Sequence, residues 1–81
     1  MRILISYPTD IGIFDIGQCE NKKYHPIYND TSLGKYDSVQ DAVDALIENK
    51  TSPVYSMETG DLVDISTLNI SRNYLEWDSS Y

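Results

Sequence analysis

Residues 38–49, SVQDAVDALIEN, are the stretch that decides the fold. Their apolar side chains recur at the i, i+3, i+4, i+7 and i+8 positions of one helical face: Val39, Ala42, Val43, Leu46 and Ile47. This spacing predicts an amphipathic helix. Ser38 is placed to cap the first turn, with Asp41 at the position of a capping-box acid. Pro53 lies shortly beyond the helix and prevents its continuation.

The side chains opposite the apolar stripe are acidic: Asp37, Asp41, Asp44 and Glu48. At about 100° per residue, these carboxylates stay within an arc of roughly 60°. The helix is therefore predicted to pack through one face and to present negative charge on the other.

The chain before the helix contains short apolar segments that are typical of strands. Residues 3–7 and 11–16 predict two strands of a hairpin, with its turn at residues 8–10. Residues 24–28 predict a third strand, which we place at a sheet edge because Pro26 cannot donate to a ladder. Residues 29–35 predict a loop.

The chain after the helix predicts a second hairpin, with strands at residues 54–57 and 62–65 around a turn that contains Gly60. The segment from residue 68 fits either a strand or a short helix. A Trp so near the end indicates that the tail packs back on the domain, and residues 78–81 are expected to fray.

The predicted element order is ββ(β)αββ, with a short C-terminal element. It indicates an α+β fold in which a small antiparallel sheet of about four to five strands carries one amphipathic helix on one face. A chain of 81 residues is predicted to form a single domain over its whole length.

The net charge of −7 comes from 13 acids and 6 bases, and it is unevenly distributed. Residues 37–64, here called the acidic sector, contain seven acids and one base and account for −6. The seven are Asp37, Asp41, Asp44, Glu48, Glu58, Asp61 and Asp64. Such a surface attracts basic partners and repels nucleic acid and anionic membranes. The alternative is that the charge only keeps a small protein soluble.

The residues that carry most enzyme chemistry are scarce. One Cys and one His cannot assemble a Cys/His zinc site, and a lone Cys19 forms no intramolecular disulfide. Cys19 and His25 would have to meet in space beside an orienting group to act as a catalytic pair. The spacing of the acids at 58, 61 and 64 lacks the alternating ligands of a calcium loop. We therefore expect a non-enzymatic protein without cofactor or metal.

Membrane and nucleic-acid binding are also not expected. No run approaches the roughly 20 apolar residues of a membrane span, and the N-terminus lacks the pattern of a signal peptide. Residues 22–23 are the only adjacent bases, so no basic stripe is formed. We expect a cytoplasmic protein whose partner is another protein.

The favoured hypothesis is an inhibitor that occupies a basic site meant for nucleic acid. The helix acids would place about one charge per 5 Å, compared with one per ~3.4 Å on a DNA strand. DNA mimics, anti-CRISPR-like phage anti-defence inhibitors and nuclease immunity proteins work in this way. The predicted partner is a nuclease or nucleic-acid-binding complex. The predicted contacts are the seven sector acids, followed by Tyr74 and Trp77.

The alternative hypothesis is a small regulatory or assembly module that docks on a larger protein. Its basis is the predicted edge strand at residues 24–28 and the aromatic tail of Tyr74, Trp77 and Tyr81, since Tyr and Trp are enriched at interfaces. A third possibility, a small enzyme with a pocket under the helix, has no motif in its favour.

Overall fold

The computed structural model describes residues 1–79 and shows an antiparallel sheet with one α-helix packed against it. The sheet strands are β1 (Arg2–Thr9), β2 (Gly12–Gln18), β3 (Tyr24–Tyr28), β4 (Thr31–Ser32) and β5 (Asp78–Ser79). The helix, α1, spans Val39–Ile47, and two 3₁₀ helices follow it at Ile65–Leu68 and Tyr74–Glu76. The strand order is β4-β3-β2-β1-β5. The predicted α+β architecture is confirmed.

The first hairpin turns later than predicted. Thr9 pairs with Gly12, so Asp10 and Ile11 form a two-residue loop and the predicted turn at residues 8–10 is wrong. Gly12 has a φ of +126°, which favours glycine, and the Thr9 hydroxyl donates to its carbonyl across 2.7 Å. Pro8 is tolerated within β1 because β5 pairs only with residues 5 and 6, so no described strand needs a donor there.

The prediction that β3 lies at the sheet edge is wrong, because residues 31–36 fold back along it. Tyr24 and Tyr36 exchange two backbone hydrogen bonds of 2.8 Å, and Leu33 N donates to Pro26 O across 2.7 Å. Pro26 therefore contributes its carbonyl to this contact and needs no N–H. A short strand, β4, forms part of the covering segment that was predicted to be a loop.

Helix α1 buries the predicted apolar stripe. Ala42, Val43 and Leu46 are fully buried, as are Phe14 and Ile16 of β2 in the same core cluster. The two ends of the stripe, at residues 39 and 47, are partly buried and pack against this cluster. The prediction of a core helix is confirmed.

Both ends of α1 are closed by local hydrogen bonds. Ser38 Oγ accepts from Asp41 N across 3.0 Å, as predicted for an N-cap. At the other end, Asn49 N donates to Leu46 O and Lys50 N donates to Ala45 O, which is the Schellman pattern. Asn49 occupies the left-handed position of that motif, with a φ of +58°.

The second predicted hairpin exists in reduced form. Residues 54–63 make one antiparallel bridge, between Tyr55 and Leu62, flanked by hydrogen bonds from Val63 N to Val54 O and from Ser56 N to Asp61 O. This segment, here called the 54–63 hairpin, is not part of the five-stranded sheet.

The C-terminal tail packs back on the domain, as predicted from its Trp. Trp77 is only 4% exposed, and its ring centroid lies 5.3 Å from that of Tyr7. The expectation of fraying from residue 78 is not met at Asp78–Ser79, which pair with residues 5 and 6 of β1. The remainder of that expectation, for Ser80 and Tyr81, lies outside the described residues. Among residues 1–79, no helix has the length and apolar character needed to cross a membrane.

Candidate functional site

The fold distributes the seven sector acids over three kinds of position. On the helix side, Asp37 precedes the N-cap, and Glu48 is the C-cap, so only the acids at 41 and 44 lie within α1 itself. Glu58 and Asp61 are exposed in the 54–63 hairpin. Asp64 is the N-cap of the first 3₁₀ helix. Only two of the four acids that were predicted to line the helix therefore lie within it.

Arg72 neutralises the C-terminal half of the helix face. Its Nη1 lies 3.0 Å from Asp44 Oδ1 and 3.0 Å from Glu48 Oε2. Gln40 Nε2 donates to the same Asp44 oxygen across 2.9 Å and to the Arg72 carbonyl across 3.0 Å. The tail that carries Arg72 is held in place by Trp77, whose indole Nε1 donates to Ser71 O across 2.9 Å.

Two lysines also pair with acids of the helix side. Lys50 Nζ lies 3.0 Å from Glu48 Oε1, and Lys23 forms an ion pair with Asp37. Hydrogen bonding to Lys50, with Arg72 as a second cation, holds the pKa of Glu48 below its usual value. Hydrogen bonding to Lys23 and its charge likewise lower the pKa of Asp37. In both cases the cation favours the ionised carboxylate.

Asp64 has a structural role. Its Oδ1 accepts hydrogen bonds from the hydroxyl and backbone N–H of Ser66, at 2.6 and 3.1 Å, and from Asn49 Nδ2 at 2.7 Å. These bonds lower the pKa of Asp64. Asn49 Oδ1 also accepts from Ile65 N across 2.9 Å, so one side chain joins the end of α1 to the start of the 3₁₀ helix.

The sector acids therefore fall into two groups. The bonded acids, whose carboxylates have an ion pair or hydrogen bond, are Asp37, Asp44, Glu48 and Asp64. The free acids, whose carboxylates have neither within residues 1–79, are Asp41, Glu58 and Asp61; all three residues are exposed. Because Lys23 and Arg72 come from outside the sector, the fold reduces its local charge from −6 to −4.

The aromatic candidates lie against the core. Trp77 belongs to the buried cluster, and the half-buried Tyr74 packs against it. The prediction of Trp77 as a contact residue needs correction, because its ring is covered by the domain and its N–H already has a backbone acceptor. Tyr81, the third member of the predicted aromatic tail, lies outside the described residues.

Sequence reasoning missed three features of this surface. Nothing in the local pattern marks Arg72 as the partner of helix acids that lie 24 and 28 residues away. Asn49, at the end of the helix, had a local signal, since Asn is a common left-handed residue at that position. A local signal also existed for the exposed side chains of the hairpin, because alternate residues of a strand face opposite sides. These side chains are Tyr55, Met57 and Leu62.

No metal site is apparent in the described part of the chain, where no three His, Cys, Asp or Glu side chains are grouped to hold an ion. Comparison of the chain with protein-family models, with curated proteins and with solved structures found no match. A function for this chain therefore has to be inferred from its own surface.

Proposed function

We propose that this protein is a non-enzymatic cytoplasmic inhibitor that binds a basic protein and occupies a surface meant for nucleic acid. The observation that carries the proposal is the set of free acids, Asp41, Glu58 and Asp61, exposed in a sector that keeps a charge of −4 after internal pairing. Unpaired, exposed carboxylates are available to the lysines and arginines of a partner. An anti-defence inhibitor or a nuclease immunity protein would act by this chemistry.

The bonded acids contribute less than the helix spacing predicted. Asp44 and Glu48 share Arg72, so a partner's cation would have to displace an internal one to reach them. Exposed ion pairs of this kind are weak, so a partner's cation can displace Arg72. The free energy gained on binding is reduced, because the internal ion pair is lost. We therefore assign the main contacts to the free acids.

The docking-module alternative has less support, because the edge strand and one member of its aromatic tail, Trp77, are covered. Residues 31–36 cover the outer edge of β3, and Trp77 is buried. The free acids of the sector therefore support the inhibitor hypothesis better than the alternative.

The test uses the full chain as bait and as competitor. Immobilised protein is expected to retain a basic nucleic-acid-binding protein from a cell extract, and NaCl raised from about 50 to 500 mM is expected to release it, because salt screens exposed charges. The purified partner should then lose its binding to a fluorescent oligonucleotide as this protein is added. A partner that binds its oligonucleotide unchanged would overturn the proposal.

A matched pair of variants distinguishes the effect of the sector acids on inhibition from the effect of the total negative charge. The first variant neutralises the free acids by Asp41→Asn, Glu58→Gln and Asp61→Asn. The control neutralises three exposed acids outside the sector by Asp10→Asn, Glu20→Gln and Asp30→Asn. The two variants have the same net charge, so only the first is expected to lose inhibition. Equal losses would show that total charge, and not the sector, determines binding.

A further inference from the structure

The 54–63 hairpin has one buried and one exposed face. Val54 and Ser56 are less than a tenth exposed, whereas Tyr55 and Met57 between and beyond them are more than half exposed. Leu62 on the returning arm is 66% exposed. Six large hydrophobic residues are exposed within residues 1–79, and three of them lie on this short segment. Such clustering is typical of an interaction surface.

The backbone places two of these three side chains on one side. Tyr55 and Leu62 are bridge partners, so their side chains project from the same face of the hairpin. Met57 lies in the turn that follows, and its exposed side chain ends beside Gly12 of the first hairpin. The arrangement is held to the sheet by Tyr28, whose hydroxyl accepts from Met57 N at 3.3 Å and donates to Ile11 O at 2.6 Å.

Cavities adjoin both arms of the hairpin. Leu62 lines a cavity of about 400 Å³ together with Pro53, Val54, Val63 and Ile65. The rest of its lining is polar: Asn49, Thr51, Ser52 and Asp64. Tyr55 lines a second cavity of about 170 Å³. The larger volume can accept an apolar side chain of a partner.

The charged residues of the hairpin and of the segment that follows it have one sign. Residues 51–71 contain Glu58, Asp61 and Asp64 and no Lys or Arg. Glu58 and Asp61 are free acids in the turn between the two arms. The hairpin is therefore complementary to a segment that combines apolar side chains with lysine or arginine, and it repels an anionic membrane.

We propose that the exposed face of the 54–63 hairpin docks a basic amphipathic segment of the partner protein. An apolar side chain of that segment enters the cavity beside Leu62, while its cations meet Glu58 and Asp61. This inference rests on the proposed function and specifies where the partner is bound. Binding at this site requires apolar contacts in addition to the attraction between opposite charges.

The probe is a synthetic peptide of Leu and Lys with helical spacing, titrated into the ¹⁵N-labelled full chain. Amide shift changes are expected in residues 54–65, and the dissociation constant is expected to rise about tenfold or more in the Tyr55→Ser, Leu62→Ser double variant. The matched control is Ile13→Ser with Leu75→Ser, which removes two apolar side chains of similar exposure elsewhere. The control should bind like the wild type.

Each alternative occupant has its own outcome. A peptide in which Ser replaces every Leu should bind far more weakly, and equal binding would overturn the inference. Shift changes confined to α1, or preferred binding to anionic phospholipid vesicles, would also overturn it. If neutralising the free acids abolishes partner binding while the Tyr55→Ser, Leu62→Ser variant keeps it, the docking inference fails and the proposed function stands.

Discussion

Glu48 at the end of α1 and Glu58 in the 54–63 hairpin belong to the same acidic sector, yet their carboxylates have different surroundings. Glu48 contacts both Lys50 and Arg72, whereas Glu58 is a free acid beside exposed apolar side chains. A count of acids along the sequence treats the two as equal. The difference shows that the charge available to a partner is what remains after the fold has paired its own cations.

The largest expected effect comes from removing the residue that holds the tail against the helix side. Trp77→Ala deletes a buried aromatic side chain and should lower the free energy of unfolding by about 3–5 kcal/mol. Thermal unfolding followed by circular dichroism would measure this loss. It should also free the helix acids from Arg72. Leu75→Ala, at a residue that is 77% exposed, should change stability by no more than about 0.5 kcal/mol.

The next effect concerns the link between the end of α1 and the segment that follows. Asn49→Ala forces an alanine into a left-handed conformation and removes two side-chain hydrogen bonds, so we expect a loss of about 2 kcal/mol in urea unfolding. Asn49→Gly keeps the conformation accessible and should lose less. Equal losses in the two variants would mean that the backbone conformation contributes nothing.

A smaller effect compares the bonded and free acids directly. The triple variant Asp37→Asn, Asp44→Asn, Glu48→Gln removes the carboxylates that Lys23, Lys50 and Arg72 contact, and it should unfold at a lower urea concentration. Neutralising the three free acids makes the same types of change and should shift the midpoint at pH 7 less, because only Asp41, in the first turn of α1, has a favourable interaction to lose. A similar shift in both variants would contradict the division of the sector into two groups.

The smallest expected effect is on the pH dependence of stability. The pKa values of Glu48 and Asp37 are lowered in the folded protein, so their contribution is present above the unfolded pKa values of about 4 and is lost as the pH falls through the folded ones. Arg72→Met should raise the pKa of Glu48 and flatten the loss of stability between about pH 5 and 2. Urea unfolding at a series of pH values would measure it, and an unaltered profile would refute the role of Arg72.

Helix α1 was predictable because its information is local. Its apolar spacing, its Ser38 cap and the proline beyond its end are all contained in a few turns of chain. The turn of the first hairpin was misplaced because its position depends on pairing between Thr9 and Gly12. The strand β5 was missed because two residues carry no pattern, and only their contact with β1 makes them a strand.

The acids of the candidate site were predictable from the sequence, but the exposure of its aromatic and apolar side chains was not. The sequence identifies every acid of the sector and shows that residues 51–71 lack a base. It does not show that Trp77 faces inward, because an aromatic residue suits a core and an interface equally well. Nor does it separate Tyr55, Met57 and Leu62 from the other apolar residues without the pairing of the hairpin.

The sequence by itself determined the amphipathic helix, the antiparallel α+β architecture and the concentration of negative charge in residues 37–64. Only the tertiary structure decided which of those charges face solvent unpaired. The physical reason is that helix periodicity and capping act over a few residues, whereas Arg72 reaches Asp44 across 28 residues of chain. Such a contact exists only after the tail has packed through Trp77.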